Sequence, residues 1–204
     1  MRAFCDFRPP YGIMELAAAA KTPAPTLSKV SGFLEREAVL ERESTRGRIS
    51  AVDWRALLVR WAQDYSLVGS NRTGTFLEPR GLRAFSDTLR TASLQYAVTG
   101  SLAGVRKAPI TEARLAAVYV PGMERAASIL GLRRAETGGN VLLLEPFDAV
   151  VFERTEEEDG VTYAGPSQVA VDLLTGPGRS PAEGEALLGW MSDNERKWRR
   201  SIPS

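Results

Sequence analysis

Two stretches of this 204-residue chain bring together residue types that could do chemistry. In the first, an amphipathic segment bearing Thr26, Ser28, Lys29, Gly32 and Arg36 runs into "LERESTRGRIS", which carries Arg42, Arg46 and Arg48. Small polar side chains and a lysine on one helical side suit the base edges of a DNA groove. Guanidinium groups suit paired phosphate oxygens. Thr26, Ser28, Lys29, Gly32 and Arg36 are therefore the expected groove-facing residues, and Arg42, Arg46 and Arg48 the expected backbone contacts. Gly32 matters here because a side chain at that position would hold the helix off the groove floor.

The second stretch is "VTGSLAGVRKAPITEARLAAVYV", with Gly100-Ser101 at the end of a strand. Nucleotidyl-transfer enzymes use such a turn to cradle phosphates and place paired carboxylates on a following strand to hold magnesium. The following strand here, "ARLAAVYV", has Ala113, Leu115 and Ala117 interleaved with Arg114 and Ala116, and Glu112 only precedes it. Without an acidic pair the metal has no anchor. The expectation is no enzyme, no catalytic residue, no metal and no cofactor, with Gly100 serving a tight turn. Asp148, Glu153 and the acidic run at 156–159 match no ligand spacing, and that run reads as a solvated loop.

Composition narrows the chemistry further. The chain has no histidine, which excludes His-based acid–base catalysis, Ser-His-Asp triads and imidazole metal sites. Its single cysteine, Cys5, permits neither an internal disulfide nor a thiolate zinc site. The net charge of +1 conceals an asymmetry. Residues 1–66 carry ten Lys/Arg against eight Asp/Glu, residues 67–135 ten against four, and residues 136–204 six against thirteen. Affinity for a polyanion depends on a local patch, so a near-neutral total does not argue against nucleic acid. No apolar run approaches a membrane span, and "MRAFCDFRPPYG" lacks a signal-peptide core, so the expectation is a cytoplasmic protein without membrane contact.

The elements that must position these residues follow from periodicity. "YGIMELAAAAK" reads as a helix with Ile13, Leu16, Ala17 and Ala20 on one side, broken by "TPAPT". Thr26 is the expected N-cap of the next helix, whose apolar stripe is Leu27, Val30, Phe33 and Leu34. "LERES" and "ISAV" around "TRGR" describe a β-hairpin. Helix, turn, helix, hairpin is the order of a winged helix-turn-helix. Such domains carry one more helix at the start, which "FCDFRPP" is not expected to supply. Asp53 caps "WRALLVRWAQDY", with Trp54, Leu57, Leu58, Trp61 and Tyr65 facing one way. Polar, glycine-containing Ser66–Thr75 reads as a linker. Beyond it, strands "QYAVTG", "AAVYVP", "NVLLLEP", "AVVFERT" and "VTYAG" interleave with helices, among them one opened by Pro166.

The whole pattern resembles the AbiEi family of antitoxins, the DNA-binding halves of type IV toxin–antitoxin systems. The resemblance spans nearly the whole chain and is most specific over Ser167–Leu188, through Gln168, Asp172, Leu173, Gly178, Arg179 and Glu185. It implies an α+β protein, with a winged helix-turn-helix and trailing helix over 1–66. A mixed α/β domain follows over 67–204, a degenerate nucleotidyltransferase-like fold. The implied function is a bacterial transcription regulator that binds promoter DNA. The implied partners are double-stranded DNA, a cognate toxin of nucleotidyltransferase fold and a second copy of the chain. Two other readings stand beside it: a protein-interaction module with little DNA binding, and a nucleotide-binding or transferase enzyme.

Overall fold

A computed structural model describes residues 1–44 and 47–202, which form two compact units. One comprises Met1–Gln63 with Met191–Ser204, the other Asp64–Trp190. The last stretch of chain, placed by sequence with the second domain, thus returns to the first. No helix among the described residues is long and apolar enough to cross a membrane.

The first unit opens with a helix that sequence reading does not expect, α1 (Arg2–Asp6), followed by β1 (Phe7–Arg8). A five-residue helix has no intrinsic stability in water. This one is held by an Arg2–Asp6 ion pair at 3.2 Å and by its far end. The buried Arg199 donates from Nε to the Cys5 carbonyl at 2.8 Å, and from one Nη to the carbonyls of Phe4 and Phe7 at 3.2 and 2.7 Å. A cation therefore satisfies the carbonyls that a helix C-terminus leaves open.

Helix α2 (Ile13–Ala20) starts where Glu15 accepts the Gly12 N–H at 3.1 Å. α3 (Ala24–Arg36) begins three residues earlier than expected: Pro23, not Thr26, is its N-cap and Pro25 sits in the first turn. Proline is tolerated there because the first-turn N–H groups have no intrahelical acceptor to lose. Thr26 is therefore inside the helix and not its cap. β2 (Leu40–Arg42) and β3 (Ile49–Val52) then pair antiparallel. α4 (Trp54–Asp64) begins with Asp53 accepting the Ala56 N–H at 2.9 Å, as its sequence predicts. The core gathers Phe4, Tyr11, Leu16, Leu27, Leu34, Ile49, Leu57 and Leu58, all at most 3% exposed.

The second unit is built on a mixed sheet. Its strands are β4 (Arg72–Leu77), β5 (Ala97–Thr99), β6 (Ala116–Tyr119), β7 (Arg133–Arg134), β8 (Val141–Glu145), β9 (Glu156–Glu158) and β10 (Val161–Tyr163), in the order β7-β4-β8-β6-β5-β10-β9. β6 and β8 lie in the middle, parallel to each other, and all but Glu145 of their residues are buried. This is why both read as continuous apolar runs. The helices are α5 (Gly81–Thr91), α6 (Gly100–Gly104), α7 (Met123–Ile129), α8 (Pro166–Leu174) and α9 (Ser180–Asp193), whose last residues lead into the first unit. There α10 (Glu195–Trp198) and β11 (Arg200–Ser201) follow, and β11 pairs parallel with β1.

Three further expectations change. Ser66–Thr75 is not a linker, because its last residues, Arg72–Thr75, pair with β8 as part of β4, and Leu67 is buried. "AVVF" forms a 3-10 turn, not a strand, begun by the Asp148 carboxylate accepting the Val150 N–H at 2.9 Å. Such local side-chain bonding competes with strand pairing. The acidic run at 156–159 is not a plain loop: Glu156–Glu158 is an edge strand, tied by Glu156 and Glu158 to Arg106 and Lys107.

Candidate nucleic-acid interface

α3 turns one side inward and one outward. Leu27, Ser31 and Leu34 are buried, while Thr26, Ser28, Lys29 and Arg36 are exposed and Gly32 is half-buried beside them. Residues three and four apart share a helix face, so the structure groups five of the expected groove-facing residues on one accessible side. Among the described residues neither Lys29 nor Arg36 is engaged by an acidic side chain.

Gly32 has no packing reason to be glycine. A Cβ built there would meet only Arg36 Nη1, at 3.9 Å, an ordinary van der Waals contact. A glycine inside a helix costs about 1 kcal/mol relative to alanine. Nothing among the described residues of the unit accounts for it.

The hairpin arginines behave differently. Arg42 is half-buried and locks the hairpin to α3, donating to Ser31 Oγ at 2.7 Å and the Gly47 carbonyl at 3.0 Å and pairing with Glu35. Ser31 passes the network on, donating to the Ser28 carbonyl at 2.9 Å. Arg48 grips Glu15 with both Nη groups at 2.6 and 2.8 Å and reaches the Pro10 carbonyl at 3.1 Å. That pairing, with the Gly12 N–H bond, holds the Glu15 carboxyl below its ordinary range. Both guanidinium groups are occupied inside the unit. Arg46 lies outside the described residues.

In the second unit Gly100 sits at φ +62°, with Ala117 Cβ 3.3 Å from where its own Cβ would be, so glycine is required by backbone and space together. The Ser101 hydroxyl is taken by Glu183. β6, beside it, presents Ala117 opposite Thr99 and carries no carboxylate. No group of acidic or sulfur side chains that could hold a metal occurs among the described residues.

Sequence reasoning missed the polar centre of this unit. Asp172, fully buried on α8, accepts from Tyr65 at 2.8 Å, Tyr119 at 2.9 Å, Gln168 Nε2 at 2.9 Å and Thr99 Oγ1. Burial pushes its carboxyl up, and the four donors pull it back down. Burial and the nearby Asp172 carboxylate raise the Tyr65 and Tyr119 hydroxyls. The cluster is buried and joins β5, β6 and α8. The available signal was an aspartate set in "VAVDLL", an otherwise apolar helical run.

Comparison of the chain with protein-family models, curated proteins and solved structures returned no match.

Proposed function

We propose that the protein is a DNA-binding transcription regulator of the AbiEi antitoxin kind. Its N-terminal unit acts as a winged helix, and the exposed side of α3 enters the major groove. The observation that carries this reading is Gly32. It is a helix-interior glycine with no internal neighbour to spare, flanked on the exposed side by Thr26, Ser28, Lys29 and Arg36. Close approach of another molecule's surface accounts for it. Lys29 and Arg36 supply free cations beside it. Double-stranded DNA is the partner, with a second copy reading the other half of a palindrome and a toxin of nucleotidyltransferase fold as the protein ligand. A cytoplasmic location and the absence of catalysis belong to the same reading.

Fluorescence anisotropy with the gene's own upstream DNA and a scrambled duplex tests it. Lys29→Ala is expected to weaken specific binding by about 1–3 kcal/mol if it reads a base. Gly32→Glu is expected to abolish binding while the fold, checked by circular dichroism, survives, because a Cβ there meets only Arg36 Nη1 at 3.9 Å. Unchanged affinity in both variants overturns the reading.

One observation favours the interaction-module alternative. Arg42 and Arg48 are occupied by Ser31, Glu35 and Gly47, and by Glu15 and Pro10. With Arg42 and Arg48 held internally, the hairpin has fewer cations to offer phosphates. Retained binding of a partner protein, with no DNA affinity at low salt, would select this alternative.

A further inference from the structure

In the second unit, the loop leading into β5 and α7 line a partly open cavity of about 300 Å³. Its walls are mostly apolar, with Leu94, Ala126 and Ile129 supplying hydrocarbon, and Ile129 remains 42% exposed. Pro121 and Gly122 bound it just beyond the carboxyl end of β6, which runs parallel to β8. The volume is at the lower end of those that enclose small molecules.

The polar part of the wall sets the ligand's chemistry. Ser93, Gln95 and Arg125 line the cavity. Some arginines of this unit are spent on carboxylates, Arg72 on Glu145, Arg106 on Glu158 and Arg134 on Glu124, whereas Arg83, Arg114, Arg133 and Arg179 have no acidic partner among the described residues; of the unpaired ones, the exposed Arg125 is the one that lines this cavity. Arg125 stands next to Glu124 in the chain, yet Arg134 takes that carboxylate. Arg125 has no acidic partner among the described residues. A hydrocarbon-lined hollow with an unspent guanidinium on its wall is complementary to an apolar body ending in a carboxylate.

We propose that this cavity binds a small amphipathic monocarboxylate, its hydrocarbon against Leu94, Ala126 and Ile129 and its carboxylate on Arg125. The site goes beyond the DNA-binding reading and does not depend on it. Phenylbutyrate is a suitable probe, with phenylbutanol as its uncharged counterpart, each titrated into the full chain and followed by amide NMR spectra. Phenylbutyrate is expected to bind saturably with a Kd on the order of 1 mM, shifting amides of 93–95 and 122–129. Arg125→Gln is expected to weaken it roughly tenfold and leave phenylbutanol unaffected.

Gly122→Leu serves as the second variant. A Cβ there meets nothing within 4 Å, and its extended backbone accepts any residue, so the chain folds and the added bulk excludes both probes. Absence of saturable shifts at about 10 mM probe overturns the proposal. So does equal binding of acid and alcohol, or an Arg125→Gln variant that binds the acid as the wild type does.

Discussion

Arg42 and Arg46 carry the same charge on the same hairpin, and the structure gives Arg42 a role inside the unit. Arg42 spends its guanidinium on Ser31, the Gly47 carbonyl and Glu35. Arg42→Ala is therefore expected to cost about 1–3 kcal/mol of stability, since it leaves buried Ser31 without its donor and loosens the hairpin from α3. Chemical denaturation of the variant checks this; an unchanged midpoint would show that the network contributes nothing. Arg46, read from sequence alone, is expected to act only on DNA. Arg46→Ala should leave stability unchanged and lower the salt slope of binding by about one unit. A fall in stability without a change in slope would reverse the two assignments.

At the scale of elements, the joint between β5, β6 and α8 is polar where a core is usually apolar. Four donors converge on the Asp172 carboxylate. Asp172→Ala is expected to destabilise the second unit by about 2–4 kcal/mol, because the donors are left buried without an acceptor. The pH dependence is a separate test. Burial raises the Asp172 carboxyl above its unfolded value, so the folded state holds the proton more tightly. Its contribution is fully present below the unfolded pKa and is lost as pH rises through the folded pKa. Asp172→Asn removes that slope. Stability measured across the acidic range should decline with rising pH less in the variant than in the wild type. Parallel curves would mean that the four donors cancel the burial penalty completely.

For the whole molecule, the return of 191–204 to the first unit makes the chain's two ends interdependent. Arg199 serves three carbonyls of residues 4–7, Trp198 packs edge-on against Trp54 with ring centroids 5.0 Å apart, and β11 pairs with β1. A chain ended at Asn194 is therefore expected to lose the dispersed NMR signals of the first unit and to keep those of the second. Retention of both would show the tail to be dispensable. Limited proteolysis carries a matching expectation: residues 72–76 should resist cleavage, since backbone paired between β4 and β8 is not available to a protease. Early cutting there would mean that β4 opens independently.

Local signals in the sequence were sufficient for α4 with its Asp53 cap, for the hairpin around Gly47, for α8 opening at Pro166, and for the exposed side of α3. Each depends on side-chain period or on bonds between residues a few positions apart, which a linear reading contains. Placement of an apparent glycine-rich linker as a strand depended on β8, some seventy residues away in the chain. The occupation of Arg48 depended on Glu15 across 33 residues, and the Asp172 cluster on four donors from three other places in the chain and from α8 itself. Helix α1 is the sharpest case. Five residues cannot hold a helix by propensity, and the guanidinium that ends this one lies 194 positions from Cys5. Residue types and local spacing determined which elements exist and which side of α3 faces out. Only the tertiary structure decided which charges remain free to act, because an ion pair depends on distance in space and not on separation along the chain.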